Sequence, residues 1–139
     1  MTVETRIINI KSKKENDMID LTKKISESIS ESDISDGIVT IFVKGSTASI
    51  TTIENEPGLV KDFPDMLSRI APKNIKYHHE EMWHDGNGHS HVKASLIGPS
   101  LTVPFSDKVL CLGTWQQIVF VELDTRSRNR EIILQIVGE

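Results

Sequence analysis

The last third of the chain constrains the fold most tightly. Short segments rich in branched apolar residues follow one another there, each closed by a turn signal. Val92 to Ile97 ends at Gly98-Pro99, Leu101 to Phe105 at Ser106-Asp107-Lys108, and Val109 to Leu112 at Gly113. Gln117 to Leu123 and Glu131 to Val137 then flank a charged loop, Asp124 to Arg130. Segments of this length and punctuation predict strands joined by tight connections.

The first half adds strands and two helices. Val3 to Ile10 reads as a strand, Ile38 to Val43 as an interior strand, and Ala48 to Glu54 as a strand with Thr47, Ser49 and Thr51 on one face. Met18, Leu21, Ile25 and Ile29 recur at steps of three or four and predict an amphipathic helix from Asn16 to about Ser30. Leu59, Phe63, Met66, Leu67 and Ile70 predict a second helix, which Pro64 should kink or confine to the residues after 63. The expected class is α+β: one domain of about eight strands, mostly antiparallel, with two helices packed on one side. A length of 139 residues suits a single core.

Between these halves, Tyr77 to Ser95 holds all five histidines: His78, His79, His84, His89 and His91. Read as a strand from His89 onward, alternation puts His89, His91, Lys93 and Ser95 on one face and Val92, Ala94 and Leu96 on the other. Two imidazoles so placed can reach one ion, and a third ligand could come from His79, His84 or Asp85. Lys93 could hold a phosphate or carboxylate, and the hydroxyls of Ser46, Thr47, Ser49 and Thr51 an anion. Arg126, Arg128 and Arg130 read as a solvated loop, and Trp115 as core or interface.

Composition narrows the function classes. A net charge of −4 and a pI near 5.7 give no reason to expect nucleic acid. No run approaches the length of a membrane helix. The opening Met-Thr-Val-Glu-Thr-Arg lacks the basic start and apolar run of a signal peptide, and lone Cys111 points to a reducing interior. A cytoplasmic protein without a membrane partner is expected. Walker, dinucleotide-binding and nucleophile-elbow motifs are lacking.

Longer motifs carry a resemblance. The run Asp85-Gly-Asn-Gly-His-Ser-His-Val-Lys-Ala-Ser-Leu-Ile-Gly-Pro-Ser-Leu-Thr-Val-Pro104 resembles the YjbQ-like proteins, a family associated with secondary thiamine-phosphate synthase activity. So do Leu112-Gly-Thr-Trp-Gln-Gln117, the strand Thr47-Ala-Ser-Ile-Thr-Thr-Ile-Glu54 and the closing Ile136-Val-Gly-Glu139. The resemblance implies a homotrimer with a histidine-lined metal pocket near the subunit boundary. It implies His79, His89 and His91 as ligands of a divalent metal, zinc first, with magnesium suited to a diphosphate substrate. Asp85 matches the acidic position before the histidine pair, whereas His78 and His84 match no recurring position. With Lys93, Asp85 is the expected catalytic pair; Thr47, Ser95, Thr114 and Gln116 are the expected contacts to a small phosphorylated substrate. The implied reaction joins a hydroxymethylpyrimidine diphosphate to a thiazole phosphate and releases pyrophosphate. One position departs: Gly45 stands where many bacterial members have histidine.

Overall fold

The structure, a computed structural model, describes all 139 residues. Eight strands and four helices follow one another along the chain: β1 (Thr2–Lys11), β2 (Met18–Asp20), α1 (Thr22–Ser30), β3 (Gly37–Val43), β4 (Ala48–Ile53), α2 (Leu59–Ile70), α3 (His78–Trp83), α4 (Gly88–Ile97), β5 (Ser100–Ser106), β6 (Val109–Leu110), β7 (Gln117–Glu122) and β8 (Asn129–Gly138). Every strand pair is antiparallel. One sheet has the order β1-β8-β3-β5-β6 and the other β2-β7-β4. The α+β class and the single domain stand, with four helices in place of two. No helix is long and apolar enough to cross a membrane.

Strand β7 explains how the layers stack. Alternate residues of a strand point to opposite faces. Ile118 and Phe120 enter the main core with Ile41, Ile132, Leu134 and Ile136 of the larger sheet. Val119 and Val121 enter a smaller core with Leu67 of α2 and Ala94 of α4. The small sheet is thus covered on both sides, which is why β7 reads as an unbroken apolar run. Helix α1 closes the main core with Ile25 and Ile29, one turn apart and fully buried.

Three local expectations change. The predicted helix from Asn16 divides: Met18–Asp20 pairs with β7 as a short strand, and the helix begins at Thr22. Asn16 itself has a φ of 64°, a left-handed turn conformation, so it does not cap a helix there. Helix α2 runs through Pro64 from Leu59 to Ile70, at the loss of one ladder bond to the Val60 carbonyl. Its start is held by the Glu56 carboxylate, which accepts the backbone N–H of Gly58 at 2.8 Å and of Leu59 at 2.5 Å. These are donors that a helix start otherwise leaves unpaired.

The third change concerns the histidines. His89 to Ser95 is helix α4, not a strand. Its buried face is polar: His89, Ser90 and Lys93 point inward with Ala94, while Val92 and Leu96 are exposed. Because α4 carries no apolar stripe, its residues mimic strand alternation in the sequence.

Candidate functional site

Helix geometry separates the histidines that a strand would have joined. Residues two apart on a helix lie about 200° apart around its axis, whereas residues four apart share a face. His89 therefore aligns with Lys93, and His91 with Ser95.

The inward pair forms a buried charged nest. His89 is 1% exposed, and its Nε2 lies 2.5 Å from Oε1 of Glu15. Lys73 reaches the other Glu15 oxygen at 3.2 Å. Burial raises the Glu15 carboxyl pKa, but hydrogen bonds from His89 and Lys73 outweigh it and leave the group below its ordinary range. Lys93 is buried too, and desolvation pushes its ammonium pKa down against the pull of Glu15. An amine so enclosed is poorly placed to meet a phosphate arriving from solvent.

On the outward side, His91 faces the preceding helix. The His91 ring lies 4.4 Å from the His79 ring, centroid to centroid. His79 Nε2 stands 3.2 Å from Oδ1 of Asp85, and one ligating atom each of His79, Glu80 and Asp85 lies within 4.8 Å of the others. Gly88 permits this approach of α3 and α4: a Cβ there would stand 2.6 Å from Tyr77 Cβ. Its N–H donates to Oε1 of Glu80 at 2.7 Å, fixing that carboxylate. Of the three expected ligands, His79 converges with Glu80 and Asp85, His91 lies beside it ring to ring, and His89 turns away.

The expected substrate contacts disperse. Ser95 lines a shallow cleft with His91, Gly45 and Ser46. Thr114 and Gln116 line a different concavity beside α1, with Thr22, Ser26 and Lys108. Thr47 is buried; its hydroxyl donates to Oδ2 of Asp124 at 3.1 Å and accepts from Arg130 at 2.9 Å. With donor and acceptor both engaged, it has no proton to offer a ligand.

Thr47 leads into a polar network that sequence reasoning missed. Arg130 donates from Nε and Nη2 to the two oxygens of Glu122, which is fully buried, and Ser12 donates to the same carboxylate at 2.6 Å. Arg128 pairs with Asp124 at 2.7 Å. Burial alone would raise the Asp124 carboxyl pKa, but the Thr125 N–H, Arg128 and Asn87 hold it down to about 2. Two of the three arginines assigned to a solvated loop are therefore structural partners. Gly45 belongs with them, since a Cβ at this position would lie 2.6 Å from Nη1 of Arg130.

Fold and site together define a single-domain α+β protein with two antiparallel sheets and a histidine–carboxylate cluster between α3 and the start of α4. Residues 6–139 match the model of the UPF0047 protein YjbQ-like family. The chain belongs to that family. It is 41% identical to a UPF0047 protein of Methanocaldococcus jannaschii over 94% of this chain and 91% of the relative. Among solved structures it resembles a YbjQ-like protein of unknown function from Sulfolobus solfataricus, with a TM-score of 0.89, 30% identity, and coverage of 99% and 100% of the two chains. An uncharacterized YjbQ/UPF0047 protein of Clostridium acetobutylicum matches with a TM-score of 0.81 and 35% identity over 94% of this chain and 99% of the other.

Proposed function

We propose that this protein binds a divalent metal at His79, Asp85 and His91, and uses the site on a small phosphorylated substrate. The supporting observation is the approach of His79 Nε2 to Asp85 at 3.2 Å, with the His91 ring beside it. Two imidazoles and a carboxylate are a donor set suited to zinc. They suit magnesium less, because it prefers oxygen ligands and retained water. Glu80 is a further oxygen within reach. Asp85 is exposed and opens the cluster to solvent.

A bound divalent ion would neutralise charge developing on a phosphate oxygen. The chain's own residues would do the positioning. His79 and Asp85 hold the ion, Ser95 offers a hydroxyl along the adjoining cleft, and Lys93 with Glu15 and His89 stiffens α4 from beneath. The motifs around Asp85 and Thr114 extend the proposal to a reaction: joining a hydroxymethylpyrimidine diphosphate to a thiazole phosphate with release of pyrophosphate. Self-association as a homotrimer is part of the same reading. It is supported by the exposed apolar side chains of Trp115, Val109 and Leu96, at 71%, 65% and 58% exposure.

The test is turnover. Zinc- or magnesium-supplemented protein is incubated with both phosphorylated precursors, and thiamine phosphate and pyrophosphate are quantified against His79→Ala. Equal formation of both products, abolished in the variant, supports the enzyme. Metal binding without turnover of either precursor assigns the site to a non-catalytic metal- or metabolite-binding trimer.

A further inference from the structure

The outer face of the larger sheet has no covering layer. Helices pack against β4, β6 and β7, while the inward residues of β1, β8, β3 and β5 build the main core. On the other side, the strand register aligns outward residues in rows across these four strands. One row is Val3, Val137, Ile38 and Pro104. The next is Thr5, Gln135, Thr40 and Thr102, and the third holds Ile7, Ile133 and Phe42. Val3, Ile7, Ile38 and Phe42 are 60%, 54%, 44% and 40% exposed.

Two apolar rows on one open face are an unusual surface to leave in water. The polar row between them is already equipped for burial. Thr5 Oγ1 donates to Oε1 of Gln135 at 3.0 Å, and the Thr40 and Thr102 hydroxyls share a hydrogen bond of 2.9 Å. Covering this row therefore strands few polar groups. No charged side chain stands in the three rows, and in the row beyond them Glu131 pairs with Lys44 at 3.0 Å. A strongly acidic or basic partner would find no counter-charge here.

Dimensions select the occupant. The two apolar rows lie four residues apart along each strand, about 13 Å, so one helix about 10 Å across cannot cover both. Four strands about 4.8 Å apart make the face roughly 19 Å wide. Three such faces closed around an axis along the strands put each sheet about 5–6 Å from that axis, near half the 10 Å separation of packed sheets. Side chains then fill the centre. Two faces also close without a void, whereas four would stand about 9–10 Å from the axis and leave a channel. Around such an axis each row meets its own equivalents at one height, apolar on apolar and threonine on threonine. The face offers roughly 500 Å² in projection, most of the roughly 800 Å² that each partner gives to a stable interface.

We propose that copies of this chain associate through the outer face of β1, β8, β3 and β5, three such faces enclosing one core on a threefold axis. The inference rests on the homotrimer of the proposed function and assigns its contact to the sheet. Exposed Val109 extends the face, because it pairs with Ser106, which lies two residues beyond Pro104 on the same side of β5.

Sedimentation equilibrium of the full untagged chain gives the mass, and circular dichroism checks folding. Wild type is expected at three times the 15.6 kDa chain mass. Ile7→Glu and Phe42→Glu should each be folded monomers at concentrations that keep wild type assembled. Leu96→Glu, on the exposed side of α4, should keep the wild-type mass. Ile7→Thr retains a strand-forming residue and should raise the trimer dissociation constant at least about 10-fold, which keeps a test if the glutamate variants do not fold. Trimers that survive both glutamate variants, or an unchanged dissociation constant in Ile7→Thr, would overturn the sheet interface and leave the homotrimer standing. So would loss of the trimer in Leu96→Glu alone. A wild type that is not trimeric would end the homotrimer reading, and the sheet interface with it.

Discussion

The rings of His79 and His91 stand 4.4 Å apart across two helices, while His89, two residues from His91, turns its Nε2 into Glu15. This division predicts different phenotypes for the three histidines. His79→Ala and His91→Ala should each weaken zinc binding at least about 10-fold with little change in melting temperature. His89→Ala should keep metal affinity and lose about 1–3 kcal/mol of stability, because Glu15 loses its buried partner. Calorimetric zinc titration and denaturant unfolding of the same variants separate the two effects.

Breaking the Glu122–Arg130 pair should be costly. Arg130→Met leaves a fully buried carboxylate without its counter-ion, and about 3–5 kcal/mol of stability should be lost. Replacing Glu122 by Leu in the same chain should restore most of that loss. A double variant no more stable than Arg130→Met would contradict the buried-charge account.

Gly45 is explained by the same arginine. A methyl group at position 45 would meet Arg130 Nη1 at 2.6 Å, so Gly45→Ala should cost about 1–3 kcal/mol. The cost should shrink in an Arg130→Met background, where the obstructing group is gone. Equal costs in both backgrounds, by denaturant unfolding, would remove Arg130 as the reason for glycine here.

Glu56 supplies a pH dependence with a definite sign. Backbone N–H groups of Gly58 and Leu59 hold its carboxyl pKa below 4.5 in the folded protein. A depressed folded pKa means stability present above the unfolded value and lost as pH falls through the folded one. Denaturant unfolding from pH 6 downward should show wild type losing its advantage over Glu56→Gln below about pH 4.5. A difference that stays constant across that range would rule out the carboxylate as the cap.

How much of this was legible in the sequence depends on what each element buries. Strands β3, β5, β7 and β8 were readable because apolar burial and β-branched composition agree there. Helix α4 was not, since its inward residues are His89, Ser90 and Lys93, and its alternation suggested a strand. Helix α3 buries none of its residues and leaves no periodic signal. Short β2 was absorbed into a helix because Met18 extends the spacing of Leu21 and Ile25. At the site, His79, His91 and Asp85 were legible as residue types concentrated in one stretch. Asp124, Glu122 and Glu15 were not, because only the tertiary fold brings distant carboxylates to these positions. Asn87 stood in the quoted motif without a role, and its burial emerged only from the packing at the start of α4.

The claim that His79 and Asp85 form a metal site is tested most directly by equilibrium zinc binding to untagged protein, measured by titration calorimetry beside His79→Ala and Asp85→Ala. The account predicts about one ion per chain in wild type and a loss of at least about 10-fold in affinity in each folded variant. Wild type without saturable zinc binding, or variants that bind as tightly as wild type, would contradict it.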